Sequence, residues 1–347
     1  MLPSESPTIQ RNGPAGRPVK ISVVMPTFNR LEQCAEALAH LINQDFDPTE
    51  YEIVIADDGS RDGTREYVTG LRTFPNLKYL RQEHRGVSAT RNQGIREARG
   101  ELILFVDDDV LATPRLLQEH YHAHQSNPNP KRVVLGYTPP LPRGNVREPI
   151  VRYYTAYWES VYRKAPVEIA TSPQWYFITN NLSVRKAFLV EAGLFDEEFQ
   201  NLTEDFELGY RLCGRGMELE YWPSAMAYHR FVIDLEVNIR KRFLVGLSAA
   251  LFYRKHPEVK AAFSIDTATG DFDHPIGLPR RAWRRVKPLV YNDRVMDLLM
   301  QGIGTFGGWL PTKVTLKLIT YLNWHHYLAG IRQGLKETEQ AIHPRRS

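Results

Sequence analysis

The first 130 residues alternate between two patterns of apolar positions. Short runs of apolar, mostly β-branched residues, such as Ile21 to Met25 and Leu102 to Val106, are typical of buried strands. Between them, apolar residues recur at helical spacing, as they do from Leu31 to Ile42. Further apolar runs at 52–56 and 77–80 bring the predicted strands to four. Strands that alternate with helices predict an α/β fold, with a mostly parallel sheet flanked by helices.

Beyond residue 131 the apolar runs are shorter and lie further apart. The expected elements there are strands at 133–137, 177–184 and 219–222 and helices at 151–164 and 234–256. From Pro257 onward we expect helices with mixed apolar and polar faces. The chain is therefore predicted to contain a disordered lead-in over 1–18, an α/β domain over 19–232 and a mainly helical C-terminal region over 233–347.

Two local motifs are interpreted as structural. Gly302 to Gly307 has the spacing of a dinucleotide-binding loop, but no β-rich strand precedes it and no acidic residue follows about 20 positions later. We interpret it as a turn between helices. His120 and His124 share one helical face, but no third ligand lies nearby in the sequence, so we do not predict a zinc site there.

Polar side chains directly follow three of the predicted strands. These clusters are Thr27 to Asn29, Asp57 to Ser60 and Asp107 to Asp109. In parallel sheets, ligands bind at the carboxyl ends of the strands. We therefore expect the three clusters to converge on one edge of the sheet and to form a ligand site there.

The acidic triplet Asp107, Asp108 and Asp109 has two interpretations. In the first, the acids cap the following helix, because negative charge is favourable near a helix N-terminus. In the second, Asp107 and Asp109 hold a divalent metal, Mg²⁺ or Mn²⁺. Such a cation is commonly bound through one or two carboxylates together with substrate phosphates.

Other candidate ligand contacts also have structural alternatives. Arg85 and Arg91 flank Gly86 at the start of a predicted helix, where an arginine and backbone N–H groups suit a phosphate. Either arginine is equally explained as a surface residue. Asp57 and Asp58 are either turn residues that cap the next helix or acceptors of hydrogen bonds from a base or ribose.

A second acidic pair, Glu204 and Asp205, precedes a predicted helix. These residues either cap that helix or supply a general base that deprotonates a hydroxyl group. His229 follows 24 residues after Asp205. A lone histidine is more often structural, but a neutral imidazole would also complete a metal site begun by carboxylates.

Composition narrows the expected partners and location. The chain has 44 basic and 40 acidic residues, a net charge of +4 that gives no reason to expect nucleic acid as a partner. Only two cysteines are present, which argues against a disulfide-dense scaffold and a four-cysteine zinc site. Residues 1–16 lack the apolar stretch of a signal peptide. We therefore expect a cytoplasmic protein.

One basic tract suggests contact with a membrane surface. Residues 280–287 contain four arginines and a lysine around Trp283. The tract is either a solvated helix face or a peripheral contact with anionic lipids, with Trp283 as an interfacial anchor. In the second case the protein associates with the inner face of the cytoplasmic membrane.

As a set, the motifs resemble those of glycosyltransferase family 2 enzymes, which have the Rossmann-like GT-A fold. The residues that carry the resemblance are Val24 to Arg30, Ala56 to Ser60, Arg91 to Ile95, Phe105 to Asp109, Gly193 to Glu197, Thr203 to Asp205, Leu208 and Arg211. Each motif is short, but their order is specific, and the similarity runs from about Lys20 to His229.

The resemblance implies an inverting glycosyltransferase of polysaccharide or cell-envelope biosynthesis. It would move a sugar from a UDP-, GDP- or dTDP-sugar to a hydroxyl group of a carbohydrate, lipid-linked or small-molecule acceptor. The implied donor-binding residues are Pro26, Thr27, Phe28, Asn29, Arg30, Asp57, Asp58, Arg85, Arg91, Asp107 and Asp108. The implied metal ligands are Asp107, Asp109 and His229. Asp205 corresponds to the catalytic base, with Glu204 beside it.

The acceptor contacts are predicted from composition and position only. Trp175, Tyr176, Asn180 and Asn181 combine aromatic rings, which stack on sugar faces, with polar amides. Two other functions are considered, a nucleotidyltransferase and a non-catalytic sugar-nucleotide binder. Nucleotidyltransferases resemble one another in a glycine-rich loop after the first strand, whereas Pro26 to Arg30 contains no glycine. A non-catalytic binder would lack part of the site, whereas all of the acidic motifs are present.

Overall fold

The computed structural model describes residues 18–71, 74–200, 202–269, 292–307 and 309–342. Residues 1–17 of the predicted lead-in (1–18) and the basic tract at 280–287 lie outside these described residues. The described chain divides into two compact units. The first contains the described residues up to Leu141 together with Trp158–Gln200 and Glu204–Phe231. The second contains Pro142–Tyr157, Leu202 and Thr203, and the described residues from Val232 onward.

The first part of the chain alternates strands and helices. Its elements are β1 (Ile21–Thr27), α1 (Leu31–Ile42), β2 (Tyr51–Asp57), α2 (Thr64–Gly70), β3 (Leu77–Arg81), α3 (Val87–Glu97), β4 (Leu102–Val106), β5 (Val110–Ala112) and α4 (Leu116–Ser126). β1 pairs in parallel with β2 on one side and with β4 on the other, and β2 pairs in parallel with β3. The carboxyl ends of β1, β2 and β4 therefore lie side by side.

The following part continues the sheet. Its elements are β6 (Arg132–Tyr137), α5 (Pro149–Glu168), β7 (Asn181–Arg185), α6 (Lys186–Glu191), α7 (Glu204–Cys213) and β8 (Glu218–His229). The strand order is β3-β2-β1-β4-β7-β6-β8-β5. β7 is antiparallel to both β4 and β6, and β5 is antiparallel to β8. The sheet is therefore parallel from β3 to β4 and mixed beyond β4.

Two apolar cores cover the two faces of this sheet. Successive residues of a strand belong to different cores, because side chains alternate across a pleated sheet. Val24 and Phe105 lie in one core, and their neighbours Val23 and Leu104 lie in the other. All four side chains are fully buried. Burial on both faces explains why these strands are continuous apolar runs.

Several strand predictions need correction. β8 extends over Glu218–His229, well beyond the predicted 219–222, and β7 begins only at Asn181. The three-residue strand β5 was not predicted, because three residues are too few for a periodic pattern. β5 nevertheless matters for the site, since it follows the acidic triplet and pairs with the end of β8.

The second unit is helical. Its helices include α8 (Leu235–Lys255), α9 (Ile265–Thr269), α10 (Asp293–Phe306) and α11 (Thr312–Ile342). Gly302 and Gly304 lie inside α10, so the prediction of a turn between helices is wrong there. Within the described residues, no helix is both long and apolar enough to span a membrane.

Close packing joins α8 to α11. Backbone contacts at Gly246 and Gly330 leave no room for a side chain, since a Cβ atom on Gly330 would lie 2.0 Å from the carbonyl oxygen of Phe243. A buried hydrogen bond of 2.6 Å from Asn238 Nδ2 to Asn323 Oδ1 links the same helices. Small residues and a buried hydrogen bond between two amides therefore fix their separation.

Candidate active site

The acidic triplet lies at the carboxyl end of β4. Thr27, at the end of the neighbouring strand β1, donates a hydrogen bond of 2.8 Å from Oγ1 to Asp108 Oδ2. Asp57, at the end of β2, lies beside Thr27 in the parallel register. The three polar clusters that follow β1, β2 and β4 thus lie on one edge of the sheet.

Arg30 bridges two acids of the triplet. Its Nη1 donates to Asp108 Oδ1 at 2.6 Å, and its Nη2 donates to Asp109 Oδ2 at 2.7 Å. Burial raises the pKa of Asp108 to about 7, although the charge of Arg30 acts in the opposite direction. Burial alone would lower the pKa of Arg30, but Asp108 and Asp109 raise it above its usual value. The arginine and the two acids therefore stabilise one another.

Asp109 lies close to His229 because β5 and β8 pair. Val110 is the register partner of His229, and Arg230 N donates to the carbonyl oxygen of Asp109 at 2.8 Å. This pairing places His229 Nε2 at 3.4 Å from Asp109 Oδ1. Burial opposes ionisation of Asp109, but His229 and Arg30 outweigh it and lower its pKa. Asp109 is therefore a carboxylate at neutral pH.

The three predicted metal ligands do not form one cluster. Within the described residues, no group of three His, Cys, Asp or Glu side chains is close enough to hold an ion. Asp107 has a partner within the protein, since its Oδ1 accepts a hydrogen bond from Arg91 Nη2 at 3.0 Å. The 3.4 Å between Asp109 Oδ1 and His229 Nε2 does suit two ligands of one divalent cation, each about 2.1 Å from it. These two side chains thus have the donor types and the separation of two metal ligands.

Arg91 connects the acidic triplet to the second acidic pair. On α3, its Nη2 donates to Asp107 Oδ1 at 3.0 Å and its Nη1 donates to Glu204 Oε1 at 2.6 Å. Only 4% of the side chain is exposed, so Arg91 does not face solvent as a donor-binding residue would. Both Glu204 Oε2 and Arg91 Nε are buried without a hydrogen-bond partner among the described residues. Arg91 holds the two acidic motifs together.

Asp205 lies in the first turn of α7, beside Glu204. Burial raises the pKa of its carboxyl group, the negative charge of Glu204 raises it further, and Arg91 acts in the opposite direction. Unlike Glu204, Asp205 is only partly buried. A partly accessible carboxyl group with a raised pKa has the properties of a general acid or base.

The two acids after β2 hold loops in place. Asp58 accepts hydrogen bonds from Gln82 Nε2 at 2.7 Å and from the backbone N–H groups of Arg85 and Gly86, both at 2.9 Å. Asp57 accepts from the backbone N–H of Ser60 at 2.7 Å and from the hydroxyl of Tyr79. We predicted that these carboxylates bind a base or ribose, but their oxygens are largely occupied by the protein itself.

An aromatic pair is exposed next to this loop. The rings of Phe28 and His84 stack with centroids 4.3 Å apart and an angle of 19° between their planes. His84 Nδ1 lies 2.8 Å from Asp58 Oδ2, which fixes the orientation of the imidazole. Sequence reasoning missed His84, because a single histidine in a polar loop gives no periodic or motif signal.

Two other predicted donor contacts have polar partners within the protein. Asn29 adopts a left-handed backbone with φ of 51°, and its Oδ1 accepts from the backbone N–H of Arg61 at 2.8 Å. Arg85 is exposed and donates from Nη2 to Glu197 Oε2 at 2.7 Å. Asn29 therefore links two loops at the sheet edge, whereas Arg85 forms an exposed ion pair with Glu197.

The predicted acceptor residues are mostly buried. Asn181 lies in β7, where its Oδ1 interacts with His120 Nε2 at 2.8 Å and its Nδ2 donates to the carbonyl oxygen of Ala225 at 2.9 Å. Tyr176 is buried, and its hydroxyl donates to Glu168. The amide oxygen of Asn180, also buried, accepts from the hydroxyl of Tyr162. These three side chains are engaged in the fold and not exposed to an acceptor.

Trp175 differs from the other predicted acceptor residues. It is only partly buried, and its ring contacts Phe206 edge-on, with centroids 5.2 Å apart. Phe206 directly follows Asp205 in α7. Trp175 thus contacts the residue next to Asp205.

Comparison with known protein families identifies the chain. A model of glycosyl transferase family 2 matches residues 22–169, and a model of glycosyl transferase family group 2 matches residues 102–328, more than half of the chain. The chain belongs to glycosyltransferase family 2. The resemblance inferred from the sequence motifs is thereby confirmed.

Its relatives include named glycosyltransferases. Validoxylamine A glucosyltransferase from Streptomyces hygroscopicus subsp. limoneus is 34% identical over 266 residues, which cover 69% of this chain and 57% of the relative. Chondroitin synthase from Escherichia coli is 28% identical over 276 residues, which cover 70% of this chain and 40% of the relative. The chain thus spans little more than half the length of the first relative and less than half that of the second.

Solved structures show the same fold. S. aureus TarS 1–349 in complex with UDP-GlcNAc has a TM-score of 0.52 at 18% identity, covering 93% of this chain and 92% of that one. The mannosyltransferase PcManGT from Pyrobaculum calidifontis, in complex with GDP-Man and Mn²⁺, has a TM-score of 0.57 at 16% identity, covering 95% and 91%. These likenesses confirm the predicted GT-A fold.

Proposed function

We propose that this family 2 member is an inverting glycosyltransferase that moves a sugar from a nucleoside-diphosphate donor to a hydroxyl group. One observation carries the proposal. Arg91 binds Asp107 of the triplet and Glu204 of the second acidic pair. The buried guanidinium group of Arg91 thus joins the acids of the proposed donor site to those beside the proposed base. Such a transfer needs both parts, since one group must stabilise the departing diphosphate and another must accept the hydroxyl proton.

Asp205 is the general base of the proposed reaction. It accepts the proton of the acceptor hydroxyl while that oxygen attacks the anomeric carbon. The attack comes from the face opposite the diphosphate, so the configuration inverts in a single displacement. Glu204 and Arg91 are buried, whereas Asp205 is partly accessible. We therefore assign them the role of positioning Asp205 from the interior of the protein. Trp175, which contacts Phe206, is the proposed acceptor contact.

The donor is proposed to lie along the edge formed by β1, β2 and β4. The exposed Phe28 and His84 rings offer a flat surface on which a nucleobase stacks. Arg85 is the proposed contact of the diphosphate. TarS was solved with UDP-GlcNAc and PcManGT with GDP-Man, so UDP- and GDP-sugars are the first donors to examine.

Asp109 and His229 are the proposed protein ligands of a divalent metal, Mg²⁺ or Mn²⁺. When bound, the cation would neutralise charge on the diphosphate leaving group. PcManGT was solved with Mn²⁺, which supports the choice of metal. Asp107 is proposed to act through Arg91 and not as a direct ligand.

The acceptor is proposed only as a chemical class. A carbohydrate or lipid-linked hydroxyl suits the partly buried Trp175, since sugars stack on aromatic rings. Contact with the inner face of the cytoplasmic membrane through residues 280–287 stays a prediction, because those residues lie outside the described ones. Sedimentation with anionic and neutral liposomes tests it, and equal recovery in the two pellets would contradict it.

A hydrolysis screen tests the function and identifies the donor. The protein is incubated with UDP-, GDP- and dTDP-sugars and Mg²⁺ or Mn²⁺, and release of the nucleoside diphosphate is measured. We expect release from one donor class only. With that donor and an acceptor, Asp205→Asn should lower kcat by about 10²- to 10⁴-fold and leave the donor Kd unchanged. Glu119→Gln, which removes an acid on α4, serves as a control. Normal transfer by Asp205→Asn would refute the assigned base.

A further inference from the structure

Arg30 occupies the carboxylates at which the cation is proposed to bind. Its guanidinium group spans Asp108 Oδ1 and Asp109 Oδ2, at 2.6 and 2.7 Å. The two acids are 4% and 12% exposed, whereas the Arg30 side chain is 39% exposed. A partly exposed positive charge thus covers an acidic pair that is largely closed to solvent.

We propose that Arg30 couples the binding of the donor to the binding of the metal. In the absence of a donor, the guanidinium neutralises Asp108 and Asp109 and competes with the divalent cation for Asp109. When a nucleoside diphosphate binds, Arg30 moves to its phosphates and leaves Asp109 to the cation. The inference rests on the proposed metal site at Asp109 and His229.

The positions of the charges around Asp109 support this exchange. Asp109 offers Oδ1 to His229 and Oδ2 to Arg30, so a cation between Asp109 and His229 would lie close to the guanidinium. Two positive charges at one carboxylate repel each other. A diphosphate removes that conflict, because its oxygens accept the same paired N–H groups that the carboxylates accept.

Arg91 is not suited to this exchange, although it also binds the triplet. Its side chain is 4% exposed and is held between Asp107 and Glu204, so its release would leave the buried carboxylate of Glu204 unpaired. Asp108, in contrast, keeps the hydrogen bond from Thr27 Oγ1 when Arg30 leaves. The two arginines therefore have different proposed roles: Arg91 fixes the acids, and Arg30 exchanges ligands.

The test measures Mn²⁺ binding and does not depend on catalysis. Free Mn²⁺ is followed by electron paramagnetic resonance in titrations of the full chain, with and without UDP or GDP. In the wild-type protein we expect the nucleotide to raise Mn²⁺ affinity by about tenfold or more. In Arg30→Gln we expect Mn²⁺ without nucleotide to bind about tenfold more tightly than in the wild type, and the added effect of the nucleotide to shrink.

Two further variants make the result specific. Arg30→Lys keeps the charge but cannot span both carboxylates, so its Mn²⁺ affinity should lie between those of the wild type and Arg30→Gln. Arg115→Gln removes an exposed positive charge that pairs with Glu119 on α4, and should behave as the wild type. Thermal melting of each variant checks that it is folded.

The possible failures are distinguishable. Equal nucleotide-free Mn²⁺ affinity in the wild type and in folded Arg30→Gln would overturn the coupling role of Arg30. Absence of Mn²⁺ binding in every protein, even with nucleotide, would overturn both the metal site and this inference. Metal binding with the expected pattern but no release of nucleoside diphosphate from any donor, with or without an acceptor, would leave the coupling intact and refute the proposed transferase activity.

Discussion

The two acids at the start of α7 differ in environment and in proposed role. Glu204 is buried and bound to Arg91, while Asp205 is partly accessible and has a raised pKa. A charged neighbour of this kind affects a base in a measurable way, because it changes the pH at which the base loses its proton. The rate of the proposed reaction should therefore depend on both residues.

The first prediction concerns the pH dependence of transfer. Asp205 acts as a base only when it is deprotonated, so its raised pKa predicts that kcat/KM increases with pH across the neutral range. Glu204→Gln removes the negative charge that raises this pKa, so the rising limb should move to lower pH. Measurement of kcat/KM from pH 5.5 to 9 on a well-folded variant checks this. A limb that stays in place would show that Asp205 is not the titrating group.

The second prediction concerns two buried histidines on α4. His120 Nδ1 and His124 Nε2 both contact Ser183 Oγ, at 2.8 and 2.9 Å. Burial lowers the pKa of His120 to about 4 and that of His124 to about 3. The unfolded chain therefore binds protons that the folded chain does not between about pH 6.5 and 4, and stability should decrease as the pH falls through this range.

Each histidine should contribute up to about 1.4 kcal/mol per pH unit to this decrease. Urea unfolding at pH 7, 6, 5 and 4.5 measures it. His124→Gln should reduce the slope of the unfolding free energy against pH by the contribution of one histidine. His122→Gln, at an exposed position on the same helix, should leave the slope unchanged. Equal slopes for the two variants would contradict the assigned role of His124.

Among the elements, α8 and α11 pack so closely at Gly246 and Gly330 that their backbones are in contact. A Cβ atom on Gly330 would lie 2.0 Å from the Phe243 carbonyl oxygen and 3.0 Å from the Gly246 Cα atom. Both neighbours are backbone, so neither can turn aside as a side chain would. The third prediction is that Gly330→Ala lowers the free energy of unfolding by about 1–3 kcal/mol or more, because the helices must separate.

Gly302→Ala provides the matched control. Gly302 also lies inside a helix, but no atom is within 4 Å of the position of its Cβ. Alanine should stabilise that helix by about 0.5–1 kcal/mol, because it has the higher helix propensity. Thermal melting followed by circular dichroism should thus move in opposite directions for the two substitutions. A loss of stability in both would mean that helix packing at Gly330 is not the cause.

The parallel part of the sheet could be predicted from the sequence, but the mixed part could be predicted only incompletely. β1, β2 and β4 are buried on both faces, so each is a continuous apolar run whose end is marked by polar residues. β5 is too short for a pattern, and β8 contains Pro223 and Ser224 just after its predicted end. The pairing of β5 with the end of β8, which brings His229 near Asp109, was therefore not predicted.

The site was predictable as a set of acids but not as a set of contacts. Strand ends place the triplet and Thr27 on one edge, and that expectation follows from the fold class. The partners of each acid depend on tertiary packing across long separations, such as the 113 residues between Arg91 and Glu204. Burial of Asn181 and Tyr176 could not be foreseen either, because polar and aromatic residues suit a surface as well as an interior.

For the whole molecule, the proposed ligands provide a final prediction. If Mn²⁺ and a nucleoside diphosphate bind the folded chain and not the unfolded chain, they should raise its thermal stability, by about 2.7 kcal/mol for a ligand at 100 times its Kd. If Arg30 couples the two, UDP or GDP together with Mn²⁺ should raise the melting temperature by more than the sum of the separate shifts. Asp109→Asn should abolish the part that depends on Mn²⁺ and keep the shift caused by nucleotide in EDTA. A full Mn²⁺-dependent shift in Asp109→Asn would place the metal elsewhere.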